Sequence, residues 1–112
     1  MTEDCIFCKI TKDVIPSKKI FEDEDVIVFH DIHPIAPVHF LIVPKLHIES
    51  LASVDQSHQA LLGKMLLLAP KLANEQGLKG FRTMINTGRE GGQEVFHIHI
   101  HVFGGGENLQ KT

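Results

Sequence analysis

From Phe96 to Val102 the chain alternates apolar and polar residues without a break: Phe96, His97, Ile98, His99, Ile100, His101, Val102. A period of two belongs to a β-strand, whose successive side chains point to opposite faces. The pattern predicts a strand over Val95 to Phe103, with Phe96, Ile98, Ile100 and Val102 on the core face. His97, His99 and His101 then share the other face, with neighbouring rings roughly 6–7 Å apart. Three imidazoles line one groove. The whole chain holds eight histidines in 112 residues, so this clustering needs a physical cause.

The rest of the sequence supplies a frame for that strand. Residues 19–22, Asp25 to Asp31, Val38 to Val43 and Phe81 to Thr87 are rich in β-branched and aromatic residues and read as four more strands. Pro34 and Pro37 interrupt regular structure, and Pro44 ends the third strand. Asp55 or Ser57 caps a helix that runs to about Gln76, where Gly77 supplies the stop. Leu61, Leu62, Met65, Leu66, Ala69, Leu72 and Ala73 mark its apolar stripe. Leu67 and Leu68 widen that stripe, which suits either a deeply buried helix or a contact between two copies. Pro70 is expected to kink the helix. No repeat, linker or low-complexity tract divides the chain. The reading is one α+β domain over residues 1–112, with a core of about 4–106, a polar tail at 107–112 and a mainly antiparallel sheet of about five strands.

Composition excludes several functions. A net charge of −3 argues against a broad grip on a nucleic-acid polymer, and the absence of Trp and Tyr leaves few stacking platforms. No stretch reaches the roughly 18 apolar residues of a membrane span. The acidic start, Met1 to Asp4, is unlike a signal peptide. Cys5 and Cys8 are the two cysteines, and without an export signal they are expected reduced or metal-bound, in the cytoplasm.

A histidine row of this kind has three readings. It is a polar strand face, a catalytic metal site with an open position, or a nucleophile with neighbouring donors. The preceding turn, Gly91-Gly92-Gln93-Glu94, presents backbone N–H groups without side-chain obstruction, as anion cradles do. Glycines beside aligned histidines suit a phosphate better than a bare ion. Cys5-x-x-Cys8 separately offers two corners of a tetrahedral zinc site and requires two further ligands. His30, His33 and His58 read as structural or exposed.

His97 to Phe103 resembles the signature of the histidine-triad (HIT) superfamily, His-x-His-x-His followed by apolar residues. Asn86, Gly91-Gly92-Gln93 and Val95 resemble the corresponding elements of its Hint branch, the histidine-triad nucleotide-binding proteins. Phe29-His30-Asp31-Ile32 with Pro34, Ala36-Pro37, His39 and Pro44-Lys45 is similar to another block of that branch, as are Ile6-Phe7 and Lys9-Ile10. The likeness spans about residues 4–106 and implies a HIT-like fold with one long and one short helix.

The resemblance also implies roles. His99 attacks the α-phosphorus and becomes transiently nucleotidylated, while His97 and His101 bond phosphate oxygens and His39 helps position them. Asn86, Gln93 and the Val95 backbone N–H hold the phosphate, with Gly92 and Glu94 beside them in the nucleotide-binding turn. Asp31 accepts from ribose hydroxyls, and Ile6, Phe7, Ile10, Ile15, Phe29 and Ile32 form an apolar slot for a purine. The implied activity is hydrolysis of purine nucleoside 5′-phosphoramidates or related conjugates, on an AMP- or GMP-type ligand. Its alternatives are a dinucleoside polyphosphate hydrolase and a nucleotide- or partner-binding module with incidental turnover. Cys5, Cys8, His47 and His97 match the ligands of zinc-containing relatives, so a structural zinc is implied, while catalysis requires no cofactor. A homodimer is implied as well. Glu94 stands where some relatives carry Ser, and the tail after Gly106 is shorter than in many of them.

Overall fold

The chain's two most apolar segments become inner strands of a five-stranded sheet. In the computed structural model, which describes residues 4–106, the strands are β1 (Lys19–Glu22), β2 (Val26–His30), β3 (Val38–Pro44), β4 (Arg82–Met84) and β5 (Ile100–Gly104). The polar tail and Met1 to Glu3 lie outside the described residues. The sheet order is β1-β2-β3-β5-β4, and every neighbouring pair is antiparallel. β2 and β3 read as nearly continuous apolar runs because both faces of the sheet are covered there.

One face packs on helix α2 (Gln59–Glu75). Val26, Val28, Phe40, Ile42, Ile100 and Val102 meet Met65, Leu68, Ala69, Leu72 and Ala73. The opposite face packs on α1 (Ile6–Thr11), where Phe7 and Ile10 meet Ile27, Phe29, Leu41 and Val43. Each fully buried Leu or Met on such a face is worth about 1.5–3 kcal/mol. The structure thus has one core on each side of the sheet, and the smaller one carries the site.

Local chemistry sets the ends of α2. Asp55 accepts from the Ser57 N–H and caps a 3-10 turn (Gln56–His58), while His58 Nδ1 accepts from the Asp55 N–H at 3.1 Å. At the other end Gly77 adopts φ +83°, and two bonds close the helix: Leu78 N–H to the Ala73 carbonyl at 2.9 Å and Gly77 N–H to Asn74 at 3.0 Å. That is a Schellman motif, which needs a residue at ease in the left-handed region. Pro70 lies inside the helix on its exposed side and cannot give the Leu66 carbonyl the usual i+4 N–H.

Three expectations need correction. Leu66 is half exposed and Leu67 is 75% exposed, whereas Leu68 is buried. At about 100° per residue, Leu66 sits a quarter-turn from the centre of the buried stripe and Leu67 nearly opposite it. Second, β5 begins at Ile100 rather than Val95, and Phe96 is 39% exposed instead of facing the core. The last pair of β3 with β5 is Ile42 with Ile100; beyond it the Ile98 N–H bonds the Ile48 carbonyl at 2.7 Å, outside the ladder. Third, β4 covers Arg82–Met84 alone, since its pairing with β5 stops at Met84 opposite His101.

Candidate active site

Cross-strand partners in an antiparallel sheet share a face. His101 pairs with Leu41 and Phe103 with His39, which puts these side chains on the α1 face. The Phe7 ring of α1 stands edge-on to His99 at 5.0 Å and to His97 at 6.0 Å, so those rings lie on the same side despite their irregular backbone. His99 and His101 are 5.0 Å apart between centroids, closer than an ideal strand places them. His39 follows at 5.2 Å from His101. A row of rings results.

Backbone groups decide which nitrogen of each ring carries the proton. The His97 carbonyl can only accept, so His99 must donate to it from Nδ1, at 2.7 Å. His99 Nε2 then holds the lone pair and has no partner among the described residues. The Ile35 N–H can only donate, and it reaches His39 Nδ1 at 3.1 Å. The His39 proton is therefore on Nε2, which donates to His101 Nδ1 at 2.9 Å. That leaves the proton of neutral His101 on Nε2. Burial lowers the pKa of all three rings, that of His101 to about 4, with His99 and His39 adding to the effect. At neutral pH the row is uncharged. It offers a bare nitrogen on His99 beside an N–H on His101.

His97 faces elsewhere. Its Nε2–H donates to the Pro44 carbonyl at 2.7 Å, so Nδ1 carries a lone pair. That lone pair lies 3.2 Å from Cys5 Sγ, 3.4 Å from Cys8 Sγ and 3.2 Å from His47 Nδ1. With both nitrogens engaged, the ring has none left for a phosphate oxygen, which is the bond expected of it above. His97 instead touches the row through its backbone carbonyl.

The four atoms from Cys5, Cys8, His47 and His97 lie within 4.8 Å of one another. Zn–S bonds of about 2.3 Å and Zn–N bonds of about 2.0–2.1 Å give tetrahedral edges of about 3.3–3.8 Å. The observed nitrogen–nitrogen separation is 3.2 Å, and Cys8 Sγ to His47 Nδ1 is also 3.2 Å. Donor set and size fit zinc. Burial, followed by the neighbouring Cys5, raises the Cys8 thiol to about 11, a cost that a bound cation would offset. Asp31, His39 and His101 also converge, but their hydrogen bonds account for that grouping, and His99 belongs to neither set.

The glycine turn is built differently from an open cradle. The N–H groups of Gly91, Gly92 and Gln93 donate back to Gly88 and Arg89 carbonyls at 3.0–3.1 Å. Gly91 packs so closely that a Cβ there would lie 2.3 Å from the Thr87 carbonyl oxygen, and Gly92 has φ +84°. The buried Gln93 amide is spent on backbone as well. It accepts from the Gly88 N–H at 2.8 Å and donates to the Glu49 and Val95 carbonyls at 2.8 and 3.0 Å. The N–H groups of Glu94 and Val95 enter none of these bonds. Asn86 is half-buried beside the turn.

Asp31 follows β2 with its side chain 16% exposed. Its Oδ1 accepts from the His33 N–H at 2.8 Å, and its Oδ2 lies 3.3 Å from His39 Nε2. Of the expected apolar slot, Phe7, Ile10 and Phe29 are buried in the smaller core with Ile15 and Val95 against them, Ile6 is half exposed and Ile32 is 84% exposed. The groups that sequence reasoning missed are the Pro44 and His97 carbonyls and the Ile35 N–H. Every residue has such groups, so composition carries no signal for them.

The model of the family described as scavenger mRNA decapping enzyme C-term binding matches residues 4–111. Protein HitA of Neisseria gonorrhoeae is 52% identical over 103 residues, which is 91% of this chain and 96% of that protein. The purine nucleoside phosphoramidase of Escherichia coli strain K12 is 44% identical over 107 residues, 94% of this chain and 90% of its own. Among solved structures, a HIT family hydrolase from Legionella pneumophila superposes with a TM-score of 0.92 at 43% identity, covering 96% of this chain and 97% of the other. One from Clostridium thermocellum gives 0.94 at 42% identity, covering 99% and 98%. Family model, relatives and fold agree with the row of rings: the chain belongs to the histidine-triad superfamily, in the family described as scavenger mRNA decapping enzyme C-term binding.

Proposed function

We propose that this chain is a Hint-type nucleotidyl hydrolase that cleaves purine nucleoside 5′-phosphoramidates or related conjugates through a covalent nucleotidyl-His99 intermediate. The observation that carries the reading is the 2.7 Å bond from His99 Nδ1–H to the His97 carbonyl. It leaves Nε2 as a lone pair with no proton to shed, and the carbonyl stabilises the positive charge the ring gains as it bonds phosphorus. The His99–phosphorus bond forms, the phosphorus–nitrogen bond breaks, and the departing amine takes a proton. His101, whose ring stands 5.0 Å from that of His99, is the donor. Water then attacks phosphorus and gives a proton back to His101 as the His99–phosphorus bond breaks, which releases the nucleotide and returns both rings to their starting forms.

The other roles follow from the site. The Val95 N–H and the Asn86 amide suit phosphate oxygens. Gly92, Gln93 and Glu94 shape that border, with the Gln93 side chain holding the turn. Asp31 suits the ribose, and the Phe7, Ile10 and Phe29 cluster with Ile6, Ile15 and Ile32 suits a purine. Cys5, Cys8, His47 and His97 would hold zinc, whose task is to fix α1 against the segment that carries His97. Unpaired thiols at that set agree with a reducing compartment such as the cytoplasm. No helix of the described residues is long and apolar enough to cross a membrane. The whole chain is read as one domain. The exposed Leu66 and Leu67, beside a groove lined by Ala60 and Gly63, support a homodimer.

Incubation with a labelled adenosine phosphoramidate, followed by acid-free peptide mass spectrometry, tests the intermediate. The label is expected on the peptide containing His99, and turnover is expected to fall by at least about 10³-fold in His99→Ala. Label elsewhere, or an active His99→Ala variant, removes the proposal. A wild type that binds AMP yet turns over no amidate favours the binding-module reading.

A further inference from the structure

The row holds a proton-bookkeeping problem that points beyond ribose binding for Asp31. Expelling an amine takes a whole proton, and neutral His101 would have to become an imidazolate to give one. The protonated ring has a proton on each nitrogen. Its Nδ1–H could not face His39, because the Ile35 N–H occupies His39 Nδ1 and forces the His39 proton onto Nε2. Two N–H groups would meet head-on. Among the described residues, the carboxylate beside both rings is that of Asp31, its Oδ2 3.9 Å from His101 Nδ1 and 3.3 Å from His39 Nε2. The His33 N–H bond to Oδ1, at 2.8 Å, aims that second oxygen at the pair.

We infer that Asp31 is a positioning residue for the His39–His101 pair, the carboxylate that receives His101 Nδ1–H whenever His101 carries a second proton. This rests on the hydrolase reading above and extends it. In the first half-reaction protonated His101 passes its Nε2 proton to the amine as the phosphorus–nitrogen bond breaks. In the second, neutral His101 takes a proton from the attacking water at Nε2, so the ring ends as it began. The titratable groups facing His101 are His39 of β3, His99 of its own segment and Asp31 of the β2–β3 loop; across β4 its partner is the apolar Met84. Asp31 is the one anion among them. Its charge raises the affinity of His101 for a proton, against burial and the two other rings.

The test separates the carboxylate's action on the ring from its action on the sugar. Kinetics of the wild type and of Asp31→Asn are compared on an adenosine phosphoramidate and its 2′,3′-dideoxy counterpart. A ribose contact alone predicts a KM effect that disappears with the dideoxy compound, and that result overturns the inference. A proton-positioning role predicts a kcat loss of roughly tenfold or more on both compounds. It also predicts an alkaline limb of the kcat profile that moves down by about one pH unit. A second arm needs no turnover: ring NMR titration of His101 in the AMP-bound protein. The His101 pKa is expected to drop by about one unit in Asp31→Asn, and an unchanged value sinks the inference even if the hydrolase reading stands. If the wild type turns over neither compound, the hydrolase reading fails while the titration still tests the contact.

Discussion

Replacing Gln93 by Met separates a phosphate ligand from a staple of the fold. The amide uses its oxygen and both N–H hydrogens on three backbone groups, at 2.8, 2.8 and 3.0 Å. Met keeps the length of the side chain and removes all three bonds. The orphaned groups belong to the half-buried Gly88 and Val95 and the exposed Glu49, so water recovers part of the loss. At about 1 kcal/mol per bond the variant should lose about 3 kcal/mol, a large share of the roughly 5–15 kcal/mol that holds a domain of this size. Urea unfolding followed by far-UV circular dichroism measures it, with the m-value unchanged and Tm lower by roughly 10–15 °C. AMP affinity of the folded fraction should change little. A stability loss below about 1 kcal/mol together with an AMP affinity reduced tenfold or more would refute the staple and restore Gln93 as a phosphate ligand.

Three further outcomes are expected. His101 has a pKa of about 4 in the folded protein against 6.5 for an ordinary ring, so the folded state binds fewer protons between those values; its contribution is fully present above pH 6.5 and is lost as pH falls toward 4. Unfolding free energies measured across that window should drop by about 2–3 kcal/mol from this ring, a drop that His101→Asn diminishes. Cys8→Ser should lower zinc bound per chain, read by atomic emission after dialysis, and leave a protein less stable to heat than the zinc-loaded wild type; equal zinc content would remove Cys8 from the ligand set. Leu67→Glu should shift sedimentation from dimer to monomer without altering the monomer's circular dichroism, and an unchanged sedimentation coefficient places any dimer contact elsewhere.

How much of this was legible in the sequence depends on which forces set each feature. β2 and β3 were readable to within a residue or two because their apolar runs and flanking prolines are local signals. The C-terminal end of α2 was readable from Gly77, and Asp55 was readable as a cap, although it caps the 3-10 turn that leads into α2 rather than α2 itself. The period of two points His97, His99 and His101 to one side of the sheet, and Phe7 meets the first two there, although only His101 sits in the regular ladder and the His97 ring turns toward the cysteines. What escaped was set by distant backbone. The Ile48 carbonyl takes the Ile98 N–H and ends the strand early, and the Pro44 carbonyl turns the His97 ring toward the cysteines. The inward N–H groups of the glycine turn escaped for a related reason: glycine permits an open cradle and a tight self-bonded turn equally well, and the packing against Thr87 decides between them.

The tautomers of the row depend in turn on how β3 is placed. Its last residue, Pro44, supplies the carbonyl that orients His97, and the loop before Val38 supplies the Ile35 N–H that orients His39. Between those points β3 spans seven residues, five of them held in register with β5, with His39 opposite Phe103 and Leu41 opposite His101. A slip of one residue in that register would send His39 to the α2 face, because side chains alternate. The same slip would carry the Pro44 carbonyl away from the His97 ring, which would no longer be aimed at the cysteines. The buried Phe40 and Ile42 oppose any such slip, since it would turn both from the larger core toward the α1 face. The apolar packing of β3 against α2 thereby enforces, on the other side of the sheet, which nitrogen of His39, and through it of His101, carries the proton.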